Sequence, residues 1–140
     1  MKRTQIAKLI VTVCIVAIGG ASVVSLVNTM RPSPGKKYEQ LTMEEAEEFM
    51  RYEASYTLVD IGTVEEFAAD HIEGAVNIPY ETLTANAPAL LPDKNQQIYI
   101  CGRDRQTNEK AALKLVSMGY VAISEIGLVS EWEEMTEKEK

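Results

Sequence analysis

Strand-like and helix-like segments alternate along residues 38–140, and this alternation restricts the chain to a sheet whose strands are joined by helical crossovers. Thr42 with Glu45 forms a capping box, with Leu41 and Ala46 in staple positions, so a helix runs from there to about Arg51. Tyr56–Ile61 is rich in β-branched and apolar residues and reads as a strand. A second capping box, Thr63 with Glu66, opens a short helix over Val64–Ala69. Ala75–Ile78 is a further strand, stopped by Pro79, and a looser stretch holding Pro88 and Pro92 follows it. The apolar run Ile98–Ile100 is a strand that ends at Cys101. The next helix runs from about Arg105 to Met118, with Gly119 as its left-handed terminator, and a last strand occupies Tyr120–Ser124. This order predicts an α/β fold, a mainly parallel sheet flanked by helices on both faces, with functional groups gathered beyond the carboxyl ends of the strands.

Charge divides the chain in two. Residues 1–37 carry six Lys or Arg and no acid, whereas residues 38–140 carry eight basic and 21 acidic residues, giving +6 and −13. Within the segment 1–30, Leu9–Val27 is nineteen residues long and uncharged, and it follows Lys2, Arg3 and Lys8. At about 1.5 Å per residue it matches a hydrocarbon core of about 30 Å, so one transmembrane helix is expected, with residues 9–27 in contact with the membrane. Retention as a signal anchor is expected over cleavage after Gly19-Gly20-Ala21, because Val23, Val24, Leu26 and Val27 continue the apolar run past the cut. The expected product is a single-pass membrane protein with its domain extracytoplasmic; cleavage would leave that domain secreted or periplasmic. Residues 31–37, with two prolines and a glycine, form a linker, and residues 38–140 form one domain. Its acidity excludes a nucleic-acid partner and leaves small anions as ligands that bind against a negative field.

Cys101 opens the loop Gly102-Arg103-Asp104-Arg105-Gln106-Thr107, between a buried strand and the positive end of a helix. Backbone N–H groups, the helix terminus and two arginines all favour a thiolate and an anion beside it, so the loop is read as supplying both nucleophile and anion site. An inert buried cysteine is the plain alternative. Cys14 lies in the apolar stretch and cannot pair with Cys101, which leaves an unpaired thiol.

Leu58–Phe67, His71–Pro79, the Cys101 loop and Gly127–Trp132 together resemble a rhodanese domain, over about Leu41–Trp132. The resemblance implies the rhodanese α/β sandwich and sulfane-sulfur transfer from thiosulfate or another sulfur-containing anion to cyanide or a thiol, with no metal or cofactor. Cys101 corresponds to the persulfide-forming cysteine, and Cys101–Gln106 to the active-site loop. Substrate contact is assigned to Gly102, Arg103, Asp104, Arg105, Gln106 and Thr107, with Arg105 holding the terminal sulfur and Asp60 at the rim. The counterpart of His71 is structural rather than a base. Trp132 is expected to pack the last helix on the sheet, and Glu133–Lys140 to be a solvated end.

The sequence departs from the family pattern at two telling places. Gly62 stands where an arginine commonly follows the Asp-Val pair, which removes the ion pair such an arginine makes. Asp104 stands where a glycine is common; it tolerates left-handed backbone but brings a negative charge near the sulfur. Two other classes of function compete. A cysteine phosphatase needs an arginine where this loop has Thr107. A noncatalytic sulfur-carrier, redox-sensing or docking module would use Cys101 only to receive sulfur, beside an exported protein partner.

Overall fold

The computed structural model of the protein describes residues 38–138. The expected membrane segment and linker lie outside the described residues, and among the described residues no helix is long and apolar enough to cross a membrane. Both capping boxes form. Thr42 Oγ1 accepts from Glu45 N–H at 3.2 Å while a Glu45 carboxylate oxygen accepts from Thr42 N–H at 3.0 Å. Thr63 and Glu66 repeat the exchange at 3.1 and 2.8 Å. Each cap is worth about 1 kcal/mol and fixes where its helix starts. They open α1 (Met43–Tyr52) and α2 (Val64–Ala69), which follow β1 (Glu39–Gln40) and β2 (Tyr56–Asp60) respectively. After β3 (Val76–Asn77) come α3 (Leu83–Leu90), β4 (Gln97–Gly102), α4 (Arg105–Ser117), β5 (Ile123–Leu128) and α5 (Val129–Lys138).

The five strands of the described residues pair in parallel, in the order β1-β5-β4-β2-β3, so β4 is central and carries Cys101 at its carboxyl end. One face packs Val59, Ile98, Ile100 and Ile123 against Leu83 and Ala87 of α3 and Ala111, Ala112 and Leu115 of α4. The other packs Leu58, Tyr99, Cys101 and Ile126 against Met43 and Ala46 of α1 and Val129 and Met135 of α5. Trp132 packs against this second layer as expected.

Three expectations change. The stretch around Pro88 is not loose but forms α3. A proline inside a helix costs about 3 kcal/mol, and full burial of Leu83 and Leu91, at about 1.5–3 kcal/mol each, offsets it. The last strand lies later than Tyr120–Ser124, at Ile123–Leu128. Tyr120 instead anchors the preceding turn, its hydroxyl donating to Leu91 O at 2.8 Å. The strand continues through Glu125 because that buried carboxylate accepts from Asn108 Nδ2 and from Gly127 N–H, both at 3.0 Å. Finally, Glu133–Lys138 belongs to α5, with Met135 buried, rather than to a solvated end.

Candidate active site

Asp60, Cys101 and Gly127 are side by side across β2, β4 and β5. The register of β5 shifts by one residue here, so Ile126 is the bulged residue beside the cysteine. Gly127 has φ +110°, and a Cβ there would collide with a Glu131 carboxylate oxygen, so only glycine fits. The Cys101 side chain points into the α1/α5 layer, fully buried, and its thiol donates to Val59 O at 3.7 Å.

Asp60, expected at the rim, lies beneath it. Its carboxylate is inaccessible and accepts from Gly62 N–H at 2.8 Å. Arg103 completes its bonding: Nη1 donates to both Asp60 oxygens, at 3.1 and 2.9 Å, while Nη2 donates to Glu66 O at 3.1 Å and to Asp70 O. The ion pair expected to be absent is therefore made with a cation from the loop. Gly62 makes room for it, since a Cβ at that position would be 3.3 Å from Arg103 Nη1 and 3.0 Å from Asp60 Oδ1. Arg105 is 58% exposed in its side chain and pairs with Glu131 of α5, whose other oxygen accepts from Leu128 N–H at 2.8 Å.

Asp104 is extended, at φ −142°, not left-handed. Its carboxylate caps α4 by accepting from Thr107 N–H at 2.8 Å and Thr107 Oγ1 at 2.6 Å, which holds its pKa below the usual carboxylate value. Gln106 is exposed, and Gly102 is buried against Asn108. His71 stacks on Phe67 and its Nδ1 lies 2.8 Å from Phe67 O.

The expected low thiol pKa is corrected. Burial pushes the Cys101 thiol well above its ordinary value, the neighbouring Asp60 carboxylate pushes it further, and Arg103 and the Cys101 N–H offset only part of this. Two arginines and a helix terminus do flank the thiol, but each is matched by a carboxylate. Accordingly, alkylation of Cys101 by iodoacetamide, followed on its own tryptic peptide, is expected to be slow at pH 7. It should climb about tenfold per pH unit through pH 9–10. A rate already at its plateau below pH 8 would contradict this. The stability linkage has a definite sign. The folded chain holds this proton more tightly than the unfolded chain does, so the contribution is complete below about pH 8.5 and is lost as pH rises towards the folded value.

Two clefts flank the loop. One, about 490 Å³, lies between α1 and α5, with Met43, Ile126 and Met135 of the cysteine's apolar layer in its wall and Arg105, Glu44, Glu131 and Glu134 around it. The other, about 350 Å³, is bounded by Arg103, Asp104, Thr107, Glu66, Glu81 and Tyr80. Sequence reading missed Glu131, Asn108 and Glu125. For Glu125 alone there is a signal, a single acid inside the mostly apolar stretch Ala122–Ile126.

A family model described as a rhodanese-like domain matches residues 42–134. The chain is similar to the thiosulfate sulfurtransferase PspE of Escherichia coli, 29% identical over 70 residues, which cover 49% of this chain and 66% of that protein. It is 31% identical over 84 residues to the adenylyltransferase and sulfurtransferase UBA4 of Candida albicans, covering 55% of this chain and 19% of that one. The matched stretch thus spans less than two thirds of either relative. Among solved structures, a rhodanese-like domain protein from Staphylococcus aureus superposes with a TM-score of 0.60 at 26% identity, covering 67% of this chain and 90% of that one.

Proposed function

The chain belongs to the rhodanese-like domain family, and from that premise we propose that it is a sulfurtransferase in which Cys101 accepts and passes on a sulfane sulfur as a persulfide. The observation that carries this reading is the position of Cys101, at the carboxyl end of the central strand where the chain turns into α4. Sγ attacks the outer sulfur of a donor, the sulfur–sulfur bond of the donor breaks, and its electron pair leaves with the remnant as the thiol proton is given up. A nucleophilic acceptor, cyanide or a thiol, then attacks the terminal sulfur and returns Cys101 to its starting state. No net oxidant is needed. The loop Gly102–Thr107 surrounds the transferred sulfur in this reading, and Arg105 reaches the donor by releasing Glu131.

Incubating the 140-residue chain with thiosulfate should add one sulfur atom to the Cys101 peptide by mass, and cyanide should then release it as thiocyanate. Loading without turnover would instead support a carrier or sensing role, the second reading, which the burial and raised pKa of the thiol favour. Absence of loading by thiosulfate and by an organic persulfide alike would reject both.

The membrane tether belongs to the same proposal and is supported by the uncharged run Leu9–Val27 behind Lys2, Arg3 and Lys8. A reporter fused after Lys140 should be active only outside the cytoplasm; activity inside would reverse the topology.

A further inference from the structure

We infer that Asp104, with Asp60 and Glu131, makes this site select against small dianionic oxyanion donors and in favour of organic persulfides with an uncharged R group, which carry at most the single charge of an ionised –SSH. The inference rests on the sulfurtransferase reading and narrows its donor. Three groups in the loop could hold an anion: the Arg103 guanidinium, the Arg105 guanidinium and the amino end of α4. Each already holds one of the chain's own carboxylates. Asp60 takes Arg103 through two oxygens, Glu131 takes Arg105, and Asp104 takes the N–H and hydroxyl of Thr107.

The surroundings point the same way. Among the described residues, the cleft between α1 and α5 sets Glu131 and Glu134 against Arg105. The cleft on the other side sets Glu66, Glu81 and Asp104 against Arg103. A dianion approaching by either route meets a net negative wall and must displace an internal carboxylate to find a cation. The wall nearest the cysteine's layer is Met43, Ile126 and Met135, which favours a donor that sheds water cheaply.

An organic persulfide R–S–SH satisfies these conditions and balances without any other reagent. Sγ bonds to the outer sulfur, the R–S–S bond breaks, and the departing R–S⁻ takes the proton that Cys101 gives up. Cys101–SH and R–S–SH become Cys101–S–SH and R–SH, with no change in net charge or oxidation state. That exchange suits a thiol that holds its proton, because the leaving group is itself a thiolate able to receive it.

The test compares the rates at which the full chain's Cys101 is loaded by thiosulfate and by N-acetylcysteamine persulfide, read by mass of the Cys101 peptide. The persulfide is expected to load faster, and the gap to narrow as ionic strength rises toward about 1 M, where the Debye length is about 3 Å. Asp104→Asn removes the charge but keeps an equally good helix cap. It should raise the thiosulfate-to-persulfide rate ratio about tenfold, and Glu131→Gln should raise it in the same direction. Equal loading by both donors, or a ratio that neither substitution moves, overturns the inference while leaving the sulfurtransferase reading intact. Loading by neither donor rejects that reading, and the inference with it.

Discussion

Cys101→Ser should lower thiocyanate formation by at least about 10⁴-fold, to the rate of the uncatalysed mixture, because the step has no other sulfur nucleophile in the described domain. The substitution is a fair test only if the domain still folds, and the surroundings of Sγ indicate that it does. The serine hydroxyl is smaller than the thiol and fits its space, although on its shorter bond it falls short of Val59 O, which lies 3.7 Å from Sγ. Burying it without that bond in the layer of Met43, Ile126 and Met135 costs about 1–3 kcal/mol. A domain of this size withstands such a loss when its stability lies in the usual range of about 5–15 kcal/mol. Cys101→Ala, which buries no polar group, checks the same point by a different route. Thermal unfolding of each variant should therefore stay cooperative while transfer disappears. Turnover within tenfold of the unsubstituted chain in either variant would remove Cys101 from the mechanism.

What could be read from the sequence was local. The capping boxes at Thr42 and Thr63 are three-residue patterns, so α1 and α2 were placed to within a residue. Cys101 sits at a strand-to-helix turn whose parts are contiguous, and its place at the end of the central strand follows from that. The partners of the charged loop were not legible, because they are distant along the chain. Arg103 and Asp60 are 43 residues apart, Arg105 and Glu131 are 26 apart, and Asn108 and Glu125 are 17 apart. Counting cations near a sulfur therefore gave the wrong sign for its pKa: only the fold reveals which carboxylate each cation already faces, and that the thiol points into the α1/α5 layer. The helix around Pro88 was hidden for a related reason. Burial of Leu83 and Leu91, a tertiary effect, outweighs a strong local signal.

Arg103→Ala should destabilise the domain by about 3 kcal/mol, lowering the melting temperature by roughly 10–20 °C. Breaking a buried pair typically costs about 3–5 kcal/mol, and the lower end applies because the Arg103 side chain keeps 25% of its exposure while Asp60 keeps none. The loss is large because the alanine leaves the Asp60 carboxylate inaccessible, with the Gly62 N–H as its remaining donor, and also strands the carbonyls of Glu66 and Asp70. Asp60→Asn is the gentler cut, about 1–2 kcal/mol, since Arg103 keeps both carbonyl acceptors. Combining the two should cost less than the sum, because the second substitution removes a group the first had already left unpaired. The same pair of variants also separates charge from packing. Asp60 raises the Cys101 pKa and Arg103 lowers it, so the pH profile of Cys101 alkylation should move down in Asp60→Asn and up in Arg103→Ala. Damage to packing alone would loosen the site in both and speed alkylation in both. Opposite shifts would identify Arg103 as the cation that locks the loop onto β2 in the space Gly62 leaves open. An unchanged melting temperature in Arg103→Ala would show that the loop is held by other means.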